Sequence, residues 1–186
     1  MTAAFATVLL AAAILPAAAV AVQAAPHVAP SPDLGKAAGQ CRPGETGPAL
    51  IVTAVGVKDR RGLLRAELYP ANDDDFLADD NVLVMAGKTF ARVEVPVAQT
   101  GPVQLCLRIP APGAYTLSLL HDRDGNRKFG LSSDGIGFPG NPKLGFSKPR
   151  AAKARLVAGA GLTPVPIRMN YRRGLFSFRP LEGADE

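Results

Sequence analysis

Stretch after stretch of this chain places an apolar residue at every second position, and a period of two belongs to a strand with one covered face. In Gly62 to Tyr69, Leu64, Ala66 and Leu68 share one side, and Arg65 and Glu67 share the other. Lys88 to Val97 repeats this with Ala91, Val93, Val95 and Val97 against Lys88, Arg92 and Glu94. Pro102 to Ile109 sets Val103, Leu105, Leu107 and Ile109 against Gln104 and Arg108. Gly113 to His121 aligns Tyr115, Leu117 and Leu119, and Leu162 to Tyr171 aligns Val165, Ile167, Met169 and Tyr171. Ala49 to Val57 is apolar throughout, as for a strand covered on both faces, and Ala152 to Val157 completes a set of seven strands. No stretch holds a helical period beyond a single turn within Asp79 to Gly87.

Short strands separated by polar turns predict an all-β fold, a single antiparallel seven-stranded β-sandwich. Lys58 to Arg61 reads as a hairpin turn, and the 88–97 and 102–109 strands read as a second hairpin. Pro164 and Pro166 lack ladder donors and place the last strand at an edge.

The domain has a leader in front of it. Met1 to Ala25 carries no charge and is rich in Ala, Val, Leu and Ile, and Val22-Gln23-Ala24 offers the small residues a signal peptidase reads. Residues 1–24 are read as a signal peptide, although the n-region lacks Lys or Arg. The competing reading is a retained anchor, because the run is nearly long enough to span a bilayer. Residues 25–40, with Pro26, Pro30 and Pro32, form an expected flexible Pro/Ala-rich tether, in which His27 has no evident role. The β-domain is placed at 41–181, and no second apolar span follows the leader. The localisation implied is periplasmic or extracellular, as a soluble mature chain.

The two cysteines, Cys41 and Cys106, both lie beyond the leader. An even count in an exported chain favours a disulfide over free thiols. Closing so long a loop stabilises by about 4 kcal/mol in the chain-entropy model. Cys106 shares parity with Gln104 and Arg108, so the bridge is expected on the outer side of its sheet.

Chemistry-bearing residues concentrate after the 113–121 strand. Asp122, Asp124 and Asn126 alternate like the first oxygens of a calcium loop, with Lys128 placed to offer a backbone carbonyl and Asp134 following late. Ser133 stands where a bidentate acid would be expected. The other reading is a tight Asx-rich turn. Gly135-Ile136-Gly137-Phe138-Pro139-Gly140 has the letters of a dinucleotide fingerprint, but Pro139 and Pro142 argue against the helix that motif needs. The loop through Pro149 carries Phe138 and Phe146, either as a binding surface or as a plug for one end of the domain. His121 is the lone histidine of the folded part, and it reads as a packed or capping residue before a catalytic base.

Charge is segregated. From Gly135 to Leu181 there is no acid, while Lys148, Arg150, Lys153, Arg155, Arg172 and Arg173 stand among the bases. They outline a face for an anionic glycan, a lipid headgroup or an acidic envelope protein, unless the acidic Asn72–Asp80 loop folds against it. Export argues against nucleic acid.

The run His121-Asp122-x-Asp124-Gly125-Asn126-x-Lys128, then Asp134-Gly135-Ile136-Gly137-Phe138 and Asn141-Pro142-Lys143, resembles the bacterial family called domain of unknown function 2141. Pro112-Gly113-x-Tyr115 and Gly62-x-x-Arg65-x-x-Leu68-Tyr69 are similar to it as well. The resemblance implies an exported, transthyretin-like or prealbumin-like β-sandwich with no enzymatic activity. Arg127 and Gly130 depart from that pattern. The leading expectation is an exported, non-enzymatic module with a binding or structural role in the envelope and no cofactor. The alternatives are a calcium-stabilised module using the 122–134 loop and a hydrolase using His121 with Asp122 or Asp134.

Overall fold

The computed structural model describes residues 27–145, 147–174 and 177–181. The leader at 1–24 and Phe146 lie outside them. After a short helix α1 (Lys36–Gly39) come β1 (Ala49–Val55), β2 (Leu63–Pro70), helix α2 (Asp80–Met85), β3 (Ala91–Pro96), β4 (Gln104–Arg108) and β5 (Gly113–Asp122). Then follow β6 (Gly135–Gly137), a 3-10 turn (Ala151–Lys153), β7 (Arg155–Ala158), β8 (Leu162–Arg168), β9 (Asn170–Arg173) and β10 (Ser177–Arg179).

The all-β class holds, but the described residues form ten strands in two sheets. A three-stranded sheet runs β4-β1-β8, and a seven-stranded sheet runs β10-β9-β6-β5-β2-β3 with β7 also on β5. Three expectations are corrected. The count of seven missed β6 and β10 and took β8 and β9 for one strand. The arrangement is not wholly antiparallel, since β1 pairs parallel with β8. The expected hairpins do not form either: β1 pairs with β4, while β2 pairs with β3 and β5. Residues 56–62 therefore cross between sheets. Gly62 makes the crossing possible, because at φ 71° it lies so close to β5 that a Cβ would meet the Asp122 carbonyl oxygen at 2.0 Å.

The inward faces are those the alternation marks. Leu50 and Val52, Leu64, Ala66 and Leu68, Leu105 and Leu107, Leu117 and Leu119, and Val165 and Ile167 are buried in one core between the sheets. Gly135 and Gly137 on β6 lie under it, because a Cβ would meet the Tyr171 ring at 2.3 Å and Ile167 Cγ2 at 2.5 Å. Those glycines are required by close packing. Pro164 and Pro166 sit on β8, an edge strand as expected, where missing donors blunt unwanted pairing.

The outer face of the larger sheet is covered as well. Tyr69, Phe76, Leu83, Phe90 and Phe138 form a second apolar cluster, with Tyr69 edge-on to both Phe76 and Phe90. Phe138 is thus a plug. Beside it runs a charged ladder in which Arg65 stands opposite Glu94 and Glu67 opposite Arg92. Arg92 reaches Glu67 at 2.7 Å and Asp80 at 3.1 Å, and it donates to the Ser31 carbonyl at 2.9 Å.

The N-terminal segment is therefore seated, where composition suggested a tether. Gly39 packs so tightly that a Cβ would meet the Arg92 carbonyl oxygen at 2.6 Å. Gln40 bridges to Leu107, and Cys41 is bonded to Cys106 with Cα atoms 5.9 Å apart. The half-buried Cys106 leaves its sheet on the side that parity assigned.

Two outcomes follow. Replacing both cysteines by serine frees a loop of 65 residues and should lower unfolding free energy by about 2–5 kcal/mol; a urea midpoint equal to that of the wild type would contradict a stabilising bridge. Arg92→Met takes the cation from Asp80 and leaves Glu67 only Arg65, at 3.5 Å, and denaturation should register a loss of about 3–5 kcal/mol; a loss below about 1 kcal/mol would show that the ladder is dispensable.

Candidate functional site

His121 ends the inward row of β5 and is fully buried. Its Nε2 lies 2.9 Å from the Arg61 carbonyl oxygen, and its Nδ1 lies 2.6 Å from the Tyr171 hydroxyl. A carbonyl only accepts, so Nε2 carries the proton and Nδ1 accepts the Tyr171 O–H. The Tyr171 oxygen in turn accepts the Lys58 N–H at 2.9 Å. Burial pushes the imidazole below its ordinary range and the phenol up to about 12. Both ring nitrogens are engaged, and the network fastens the 56–62 crossing to β5 and β9. This geometry leaves no imidazole nitrogen facing a substrate, so the hydrolase reading gains nothing from it.

Asp122 has outward parity on β5, next to His121. It is 1 % exposed. Its Oδ2 accepts the Arg127 N–H at 2.8 Å, while its Oδ1 is buried without a hydrogen-bond partner. Asp134, equally buried, accepts from the Arg123 N–H at 3.0 Å and the Gly130 N–H at 2.7 Å. Those two bonds return the chain to its starting point and bring Asp134 to Asp122 and Asp124. One carboxylate oxygen from each of the three lies within 4.8 Å of the others. Burial pushes the Asp122 carboxyl up, and the neighbouring Asp124 and Asp134 carboxylates add to this against the Arg127 N–H.

The other members of the expected calcium loop serve the turn. The Asn126 amide oxygen accepts the Lys128 N–H at 2.7 Å, and its amide nitrogen donates to Asp124 at 2.9 Å. Lys128 thus enters through its N–H. The guanidinium groups point away from the carboxylates. Arg123 pairs with Asp59 and donates to the Ser133 carbonyl, and Arg127 Nε reaches Glu94 at 3.1 Å. Arg65 donates to the Arg127 carbonyl at 2.8 Å and ties the loop to β2. The tight Asx-rich turn expected as the other reading of this spacing is present; the return of Asp134 had no local signal.

The expected basic face does not gather in one place. Arg155 pairs with Thr116, whereas Arg172 and Arg173 lie past the register of Tyr171 with Gly135 and of Gly135 with His121. That separation is about 20 Å along the sheet. Lys148 donates to the carbonyls of Asp73 and Phe76, so the acidic loop does fold against this part of it. Arg150 and Lys153 are exposed around the 3-10 turn. A feature the sequence reading missed lies beside Arg172. Phe129, 40 % exposed, and Leu131, 60 % exposed, stand at the loop tip. The Phe129 ring is 5.8 Å from that of Phe178, which is cross-strand to Arg172.

Tyr171→Phe removes both the donor to His121 and the acceptor for Lys58. The variant should lose about 1–3 kcal/mol in chemical denaturation with its fold retained; an unchanged midpoint would mean that the network carries no weight.

Among the described residues no helix is long and apolar enough to cross a membrane. No curated protein and no solved structure matches the chain. A family pattern does match, over residues 52–165, which contain β2, β5 with His121, and the whole 122–134 loop, while Tyr171 lies past its end. The chain therefore belongs to the bacterial family described as an uncharacterized protein conserved in bacteria, DUF2141.

Proposed function

We propose that the chain is an exported, non-enzymatic β-sandwich module that docks on an anionic lipid surface of the cell envelope through the tip of the 127–131 loop and the β9–β10 edge. The observation that carries this reading is the exposure of Phe129 and Leu131 in a basic setting. Lys128 precedes them, and Arg172, Arg173 and Arg179 lie on the strands next to Phe178. Aromatic and aliphatic tips among cations suit a headgroup layer, which offers apolar depth below a negative surface. A soluble anion would gain nothing from the two apolar tips.

Export is supported by the leader pattern and by the Cys41–Cys106 bridge, which suits an oxidising compartment. The non-enzymatic reading is supported by the engagement of both His121 nitrogens.

The test is co-sedimentation with phosphatidylglycerol–phosphatidylethanolamine vesicles, with pure phosphatidylcholine vesicles for comparison. Binding should favour the anionic vesicles and weaken steeply with salt. A Phe129→Ser/Leu131→Ser double variant should bind at least about tenfold less, since each buried apolar side chain is worth roughly 1.5 kcal/mol or more. Equal binding to neutral vesicles, or full binding by the variant, would remove the lipid reading. Retention on an anionic polysaccharide that ignores the double substitution would reassign the partner as a glycan.

A further inference from the structure

A second property of the 122–134 loop stands apart from lipid docking and concerns its inner side. Three observations meet there. One oxygen each of Asp122, Asp124 and Asp134 lies within 4.8 Å of the other two. Two oxygens on opposite sides of a calcium ion are separated by about twice a bond of 2.4 Å, so this spread accommodates calcium–oxygen distances. Asp122 Oδ1 is buried without a hydrogen-bond partner, on a residue that is 1 % exposed. A buried carboxylate oxygen left in that state is costly, and an ion within reach of the trio would satisfy it. No guanidinium serves this purpose, because Arg123 and Arg127 are turned to Asp59 and Glu94.

We propose that Asp122, Asp124 and Asp134 bind a calcium ion, with Asp122 Oδ1 as the buried ligand. The remaining hydrogen bonds fit that role. A carboxylate has about four lone-pair sites. Asp134 uses one oxygen for the Arg123 N–H and the other for the Gly130 N–H, and Asp122 gives Oδ2 to the Arg127 N–H. These backbone donors hold the carboxylates in place and leave lone-pair sites unused on each of them. Asp124 contributes least, since Asn126 donates to both of its oxygens. All three donors are hard oxygens, the class that suits calcium rather than a softer transition metal. The exposed Asp124 leaves the outer side of the ion to water. Three carboxylates completed by water give a weak site of the extracellular kind, with Kd of about 0.1–1 mM.

The test uses calcium alone with the full mature chain. Thermal melts in chelator and in excess calcium should differ by about 4 °C or more in midpoint. Isothermal titration should give one site, and magnesium at the same concentration should shift the midpoint less. Asp122→Asn and, independently, the exposed Asp124→Asn should each abolish most of the shift. Asp74→Asn, in the other acidic loop, should preserve it, which separates site binding from general screening. An identical wild-type midpoint in chelator and calcium overturns the proposal. So does a shift that survives both loop substitutions, or one that magnesium reproduces in full. If Asp122→Asn raises the midpoint in chelator while the wild type ignores calcium, the carboxylates share a proton instead. None of these readouts involves vesicles, so failure here leaves the lipid reading standing, and the reverse also holds.

Discussion

Strand β5 is bonded on both edges and covered on both faces, and the rest of the molecule is arranged around that double burial. Leu117, Leu119 and His121 face the core shared with the smaller sheet, and β2 is bonded along nearly its whole length. Its other edge is divided between β7, opposite Gly113–Thr116, and β6, opposite Leu119–His121. A strand in this position cannot hold charge unless a partner meets it on the spot. Its side chains accordingly run from apolar residues and Tyr115 to Thr116 and Ser118, and imidazole and carboxyl groups enter only at its end, as His121 and Asp122. The polar site of the protein therefore starts where β5 leaves its sheet.

The outer face of the larger sheet solves a related problem differently. Arg65, Glu67, Arg92 and Glu94 have the parity of solvent-facing residues, yet α1, the segment before it from Ser31 and the 122–134 loop meet them. Covering charges is tolerable only when they neutralise one another. The register of β2 with β3 does this by placing each cation opposite an anion. A shift of one residue would put like faces out of phase and expose the core. The segment from Ser31 to Cys41 is thus held by the disulfide at one end and by Arg92, through the Ser31 carbonyl, at the other. Burial in this region comes from ionic matching, while the Tyr69–Phe76–Phe90 cluster beside it is held by apolar contact.

Much of this was legible in the sequence, and the boundary of what was legible has a physical form. Parity is local, so the inward rows of β2, β4 and β5, and the outward exit of Cys106, could be read from spacing alone. Partner choice is not local. The run from Val165 to Tyr171 keeps one parity although the chain changes sheet at Met169, whose N–H bonds to the Val55 carbonyl. A change of sheet that conserves facing leaves no trace in the alternation. Strand β6 was hidden for another reason: Gly135 and Gly137 have no side chains to alternate, and their identity answers to the Tyr171 ring and Ile167. At the site, the Asp-x-Asp-x-Asn spacing announced a polar turn, but Asp134 reaches it through backbone donors, which any residue type carries.

The 122–134 loop combines a fixed base with a projecting tip, and the two follow from one arrangement. Its carboxylates turn inward to the N–H groups of Arg123, Arg127 and Gly130, and Arg65 grips the Arg127 carbonyl from β2. With the base closed in this way, the residues between Arg127 and Gly130 have no sheet left to cover, because β6 resumes the ladder only at Gly135. Phe129 finds a partial shelter against Phe178, and Leu131 finds less. An apolar tip on a loose loop could fold back and bury itself. Here the closed base holds it out, beside Arg172 on the neighbouring strand. The orientation of the exposed surface is therefore set by the buried carboxylates beneath it.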